Sequence, residues 1–209
     1  GAVADQSGIG AEVSRDYLAG ARTYFDHVNA SGGIRGRKLS LVVKDDEGVP
    51  GNTLRLTREL IGGDRVDALF GFSGDENLAM ISKDSVFRSS KVILYGPLSG
   101  IEIGDGGDSI VFVRPTYRDE VRHIIQHFSQ LQLTHFAVVH FANDNGIGLA
   151  NEVSAQLKSR NRQLSGHFEM SLALGGLDKL ARNVMAGNPQ VIIVAADTIA
   201  TAELIKKVR

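Results

Sequence analysis

The stretch VDALFGFSG, residues 66–74, and its echo KVILYGPLSG, residues 91–100, decide how this chain is read. In each, a short β-branched and apolar run ends abruptly in a small, polar, Gly-containing loop. After each loop the apolar spacing lengthens toward the period of a helix. A strand buried on both faces by helices reads as such a near-continuous apolar run. In open parallel sheets, small ligands sit at the loops on the carboxyl ends of the strands. Two successive loops that both offer Ser and Gly therefore predict one wall of a binding site.

Outward from these loops, strands and helices alternate. Val13, Tyr17, Ala21, Phe25 and Val28 recur at helical spacing, and Ser31-Gly32-Gly33 supplies a stop. Residues 39–44 read as a strand ending in Asp45-Asp46, and Pro50 suits the first turn of a helix carrying Leu54, Leu56, Leu60 and Ile61. Strands at 68–72 and 92–95 flank a helix over 78–87, and a further strand at 110–113 is interrupted by Arg114-Pro115. The pattern then restarts: helix 120–131, strand 136–141, helix 149–157, strand 163–170, helix 177–185, strand 191–195, and a last helix from Ile199. This alternation predicts an α/β protein of two Rossmann-like lobes with parallel sheets, at residues 1–115 and 116–209. With no strand expected ahead of its Gly-rich opening, and a stop at a helix end, the chain reads as truncated at both ends.

Composition removes several function classes. Of 209 residues, 43% are hydrophobic and 22% charged, as in ordinary globular proteins. A formal net charge of -1 offers no basic excess for a phosphate backbone, so no nucleic-acid partner is expected. No apolar run approaches the roughly 20 residues that span a bilayer. Cysteine is absent, which excludes disulfide frameworks, Cys-ligated zinc and thiol catalysis.

Four local patterns suggest chemistry and fall short of it. Gly71-Phe72-Ser73-Gly74-Asp75 comes within one residue of the G-x-S-x-G nucleophile elbow, but Asp75 replaces the last Gly and no oxyanion loop precedes it. Gly8-Ile9-Gly10 with Asp45 imitates a dinucleotide fingerprint whose third Gly is missing and whose acid lies about 30 residues on rather than about 20. Asn143, Asn145, Gly146 and Glu152 fit a calcium loop that would begin at Phe141, which has no oxygen to give. His123 and His127 stand four apart on a helix, opposite its apolar face of Val121, Ile124, Ile125 and Phe128, and are read as solvated. Neither a cofactor nor a metal is expected.

One longer pattern is more specific. Ala19-Gly20-Ala21, the run from Val28 through Gly32-Gly33-Ile34-Arg35-Gly36 to Leu39, and Asp45-Asp46 with Pro50 following, resemble the amino-terminal lobe of type I periplasmic solute-binding proteins. The branch it is most similar to is that of the leucine/isoleucine/valine-binding receptors of ABC importers. Ala68-Leu69-Phe70-Gly71 and Tyr95-Gly96-Pro97 resemble the strands that follow, and residues 112–117 with Asp119-Glu120-Val121 a crossing between lobes.

The resemblance implies a non-catalytic receptor that binds an amino acid or related small polar solute between two lobes and delivers it to a membrane permease. It also implies periplasmic export, with the signal peptide absent from this chain, and a monomeric full-length receptor. By the same resemblance the ligand residues are Ser73, Gly74, Asp75 and Asn77 after one strand and Leu98, Ser99 and Gly100 after the next. Tyr117 belongs to the crossing, and Asn145 and Asp197 to the second lobe. Asp75 and Glu76 stand where the family usually has Ser or Thr, and Gly100 where a Thr hydroxyl is expected. Carboxylates there would repel a ligand carboxylate, which favours an amine or amide. Asp75 as N-cap of the following helix is the alternative. Two other functional classes remain open on the sequence: a ligand-sensing domain of a signalling receptor, and an α/β hydrolase or NAD-dependent enzyme.

Overall fold

Residues 1–8 and 10–208 are described by a computed structural model; Ile9, inside the Gly8-Gly10 pattern, and Arg209, at the expected stop, lie outside the described residues. The chain divides into two compact units, Gly1–Thr116 and Tyr117–Arg209.

The first unit contradicts one expectation at once: a strand does precede the Gly-rich loop. β1 (Ala2–Ala4) pairs in parallel with β2 (Val43–Asp45), and its three side chains are 0–5% exposed. Three small residues buried on both faces carry no periodicity, which is why the segment is silent in sequence. The Gly1 backbone nitrogen donates to the Ala68 carbonyl (2.7 Å), and the Phe70 N–H donates to the Gly1 carbonyl (2.8 Å). These bonds lay β1 alongside β3 (Leu69–Phe70), which pairs with β4 (Leu94–Tyr95), which pairs with β5 (Ile110–Val111). The strand order across the unit is therefore β2-β1-β3-β4-β5. That order reverses direction between β1 and β3, and in doubly wound sheets the ligand crevice opens at this switch point.

Local chemistry moves several boundaries. The strand expected at 39–44 pairs only from Val43, because the Asn29 side chain takes both backbone groups of Leu39: Leu39 N–H to Oδ1 (2.7 Å) and Nδ2–H to the carbonyl (2.8 Å). The single helix expected over 78–87 is two, α3 (Asp75–Lys83) and α4 (Ser85–Ser90). They part at Asp84, whose carboxylate caps α4 by accepting from Phe87 N–H and is gripped by Arg58. The strand expected at 110–113 pairs only over β5. In α1 (Ala11–Ala30) the buried stripe runs through Ala11, Ser14, Leu18 and Ala21, while Val13 is 58% exposed. The buried face is rotated by about one residue from the expected one, and Tyr17 and Phe25, half-buried, flank the stripe rather than fill it. α2 (Pro50–Gly62), α3 and α4 cover the other face, packing Leu56, Leu60, Leu78, Ile81 and Phe87 on Leu69, Leu94 and Ile110.

The second unit follows α5 (Tyr117–Gln130) with β6 (His135–Phe141) between β7 (Gln163–Met170) and β8 (Val191–Ala195), all parallel. The order β7-β6-β8 repeats the β2-β1-β3 arrangement of the first unit. A bulge between Phe136 and Ala137 leaves Ser165 unpaired in the ladder, and its hydroxyl donates to the Phe136 carbonyl (2.9 Å). One sheet face packs on α5 and α6 (Asp144–Ser159) through Val121, Ile125, Val138 and Val153. The other packs on α7 (Leu177–Ala186) and α8 (Thr198–Val208) through Val139, Val184 and Leu204. Among the described residues no helix is long and apolar enough to cross a membrane.

Candidate functional site

The loop that leaves β3 bends through unusual backbone. Gly71, Phe72 and Gly74 have φ of +73°, +89° and +93°. A bulky residue at positive φ costs on the order of 1–3 kcal/mol and persists only where its surroundings hold it. Phe72 is 3% exposed, packed into the core of the first unit, and its carbonyl accepts from Leu98 N–H (2.8 Å). The strain is thus offset by burial, and the same bond ties the β3 loop to the β4 loop. Glycine is required at two points for a separate reason. A Cβ on Gly71 would meet the Tyr17 ring at 3.2 Å, and one on Gly96 (φ +67°) would meet the Tyr17 hydroxyl at 2.8 Å. That hydroxyl donates to the Gly96 carbonyl (2.7 Å), and the ring stacks on Phe70 at 5.2 Å. Burial, and then the neighbouring Tyr95, hold the Tyr17 phenol above its ordinary pKa.

Side chains lock the two loops further. Ser99, 1% exposed, donates its hydroxyl to Asp75 Oδ1 (2.6 Å) and accepts from Ile101 N–H (3.2 Å). Asn77 Nδ2 donates to the Ser73 carbonyl (2.9 Å), and Arg114 Nη1 donates to the Leu98 carbonyl (3.1 Å). Ser73 Oγ lies 3.4 Å from Ser14 Oγ on α1, so the pair spans the switch point from the β1 side to the β3 side. The helix cap is Gly74, with no side-chain cap bond, and Asp75 and Glu76 occupy the first turn of α3. Asp75 is therefore not the N-cap; its carboxylate answers the positive helix end from inside the first turn and holds Ser99. Gly100, buried beside Ser99, brings no hydroxyl.

Ser73, Gly74, Asp75, Asn77, Leu98, Ser99 and Gly100 are thus brought together on the first unit. Tyr117, Asn145 and Asp197 lie on the second. Tyr117 opens α5, and Asn145 sits exposed in the first turn of α6. Asp197 accepts from Ala200 N–H (2.7 Å) and so caps α8. Asn145 and Asp197 follow β6 and β8, on either side of that unit's own switch point. Sequence reasoning missed Ser14, Tyr17 and Arg114. Ser14 had a signal, a hydroxyl within the small-residue stripe of α1.

The competing chemistries find no support in the geometry. Asp5, 5% exposed, accepts from the N–H groups of Ser7, Gly8 and Gly10 at 3.2, 2.5 and 2.8 Å. The amides that would cradle a dinucleotide phosphate are filled by the protein's own carboxylate. Asp45 accepts from Gln6 and Glu47 N–H (both 2.9 Å), which hold it below the usual carboxylate range. Among the described residues of the first unit no histidine serves Ser73: His27, the single histidine among residues 1–116, is in the last turn of α1, about 20 Å along the helix from Ser14. Asn143 caps α6 by accepting from Gly146 N–H (2.8 Å), so the feature behind its place in the pattern is a helix cap. His123 and His127 are exposed, as their helical phase predicts.

Comparison with known proteins agrees with this architecture. Residues 1–209 match the family described as periplasmic binding protein, and the chain belongs to that family, whose members bind solutes and are not enzymes. An amino acid binding protein of Pseudomonas aeruginosa is 27% identical over 161 residues, covering 75% of this chain and 42% of that protein. A substrate-binding periplasmic protein from Ralstonia solanacearum superposes with a TM-score of 0.86 at 23% identity, over 99% of this chain and 58% of that one. The substrate-binding protein of an amino acid ABC transporter from Pseudomonas fluorescens gives a TM-score of 0.86 at 17% identity, over 99% of this chain and 56% of that one. The chain thus spans roughly half the length of the relatives it matches. The fold is the type I periplasmic binding protein fold.

Proposed function

We propose that this chain is the solute-binding part of an extracytoplasmic receptor that serves the membrane permease of an ABC importer. The observation that carries this reading is the pair of interlocked loops at the β1/β3 switch point, strained at Phe72 and joined by the Ser99–Asp75 bond. Strain held at the carboxyl ends of parallel strands marks a ligand site more readily than a stability device. Ser73 and Ser14 are short hydroxyls that can meet a ligand closely, with Asn77 and Ser99 fixing the loops behind them. The contributions of Tyr117, Asn145 and Asp197 from the second unit are part of the same proposal.

The ligand class follows from charge. A free helix N-terminus attracts a carboxylate, but here Asp75 and Glu76 already occupy the first turn of α3. A small polar solute bearing an amine or amide suits that wall better than one that presents its carboxylate there. The amino acid binding relative supports an amino acid or close derivative; branched-chain specificity has little to support it. Native mass spectrometry of the full-length receptor, followed by calorimetric titration with amino acids, their amides and the corresponding amines, tests the reading. A saturable amine- or amide-bearing ligand is expected. Binding of nothing in the panel, or turnover of a bound compound, would overturn it.

A further inference from the structure

The second unit holds a polar pair outside the residues proposed to hold the solute. His140 is fully buried near the carboxyl end of β6, on the sheet face that also carries Phe136 and Val138. Its Nδ1 lies 2.7 Å from the Phe141 carbonyl oxygen. That oxygen can only accept, so the Nδ1 carries the proton and Nε2 presents a lone pair. Nε2 of His167, on the neighbouring strand β7, lies 2.5 Å away, with ring centroids 4.6 Å apart and planes at 59°. His167 itself is exposed. Two imidazole nitrogens thus converge on one point from adjacent strands, one ring fixed and the other facing solvent.

A backbone carbonyl that takes the far N–H of a histidine, fixing its tautomer and raising its basicity, is the outer-shell arrangement of metal-bound histidines. We propose that His140 and His167 form a binding site for a borderline divalent transition ion such as Zn²⁺. His167 moves its proton from Nε2 to Nδ1, so both Nε2 lone pairs face the ion without any net proton release. Zn–N distances of about 2.0–2.1 Å in tetrahedral geometry put the two nitrogens about 3.3 Å apart. The rings must part by roughly 0.8 Å, which the exposed His167 absorbs by rotation. Among the described residues no third His, Asp or Glu joins them, so water fills the remaining positions. The ion would clamp the edge strand β7 to the central strand at the end where α6 begins; Gly146 of α6 has no Cβ, and one would lie 3.1 Å from His140 Nδ1.

The helical pair His123 and His127 is a competing surface site, so the test uses the 209-residue chain carrying H123A and H127A. Zn²⁺ is titrated against a chromogenic chelator, and Co²⁺ is added separately to read its visible absorption. One equivalent of Zn²⁺ should bind at least about tenfold more tightly than to the same chain with His167→Ala, with a rise in melting temperature that the H167A chain lacks. His167→Gln keeps a hydrogen-bond donor toward His140 but no ring nitrogen, and should behave as H167A. Equal Zn²⁺ affinity with and without His167, binding restored by His167→Gln, or no saturable binding at all would overturn the site.

Discussion

The two units begin alike and finish differently. Each starts with a central strand flanked by its second and third, and each places loops at the switch point between the first and third. In the second unit the side chains of those loops serve the helices: Asn143 caps α6 and Asp197 caps α8. In the first, Ser99 and Asp75 bond to each other across two loops, Ser73 faces Ser14, and α3 has only Gly74 as its cap. Helix caps stabilise by about 1 kcal/mol each. Forgoing one while keeping Phe72 at positive φ makes sense where backbone and hydroxyls are arranged for something other than stability. The first unit therefore carries the more specialised loops.

A second contrast concerns the sheet faces. Both faces of the β7-β6-β8 sheet carry buried clusters. In the first unit α1 covers β1 and part of β3, while Ile93, Tyr95, Val111 and Val113 remain 41–53% exposed over β4 and β5. Two strands at about 4.8 Å spacing make a strip close to one helix wide. One face of β4 and β5 thus keeps apolar side chains at the surface where, among the described residues, the second unit's sheet keeps none.

The largest expected effect probes the shared feature, a packed core. Phe87→Ala should lower the stability of the first unit by about 3–5 kcal/mol in denaturant unfolding, since its side chain is fully buried and a cavity would remain. A loss below about 1 kcal/mol would mean that this core is loosely packed. Next, Asp5→Ala strands three loop amides and should cost roughly 3 kcal/mol, whereas Asp5→Asn should keep part of the cluster. Indifference to both variants in thermal unfolding would show that the carboxylate does not hold the loop.

Ser99→Ala comes third, at about 1–3 kcal/mol, because the hydroxyl serves both Asp75 and Ile101 N–H. Its effect on solute affinity should arrive through displaced loops, so Ser99→Thr, which keeps the hydroxyl, should recover much of it. Calorimetry showing the loss unchanged in S99T would mean that the hydroxyl is not what holds the loops in place. The smallest expected change in stability, within about 0.5 kcal/mol, is for Tyr95→Lys and Val111→Lys. The 209-residue chain is expected to self-associate through this strip in sedimentation, and less so with these variants; a chain that is monomeric without them, or association that they leave undiminished, would show that the strip is not the contact.

The sequence revealed alternation, the parallel sheets and the two Ser-Gly loops, because strands with buried residues on both faces leave continuous apolar runs such as 68–72 and 136–141. It hid β1, since Ala-Val-Ala is too short for any period. It hid the break at Asp84, where an acid with an apolar surround reads equally as helix interior or cap. The loop partners were hidden for a different reason. That Ser99 would reach Asp75, or Ser14 approach Ser73, depends on strand order, which no local pattern encodes. Likewise the imidazole contact of His140 with His167 depends on the β6–β7 register.

We propose that the first unit's loops hold the solute and that charge at Asp75 selects it. It is tested most directly by calorimetric titration of the full-length receptor and its Asp75→Asn variant with one amine-bearing and one matched anionic solute. Asparagine keeps an oxygen for Ser99, so folding stability should hold while the amine ligand weakens by about tenfold, or 1.4 kcal/mol, and the anionic one is spared or gains. Unchanged affinity for both solutes, with the variant folded, would place the ligand away from these loops.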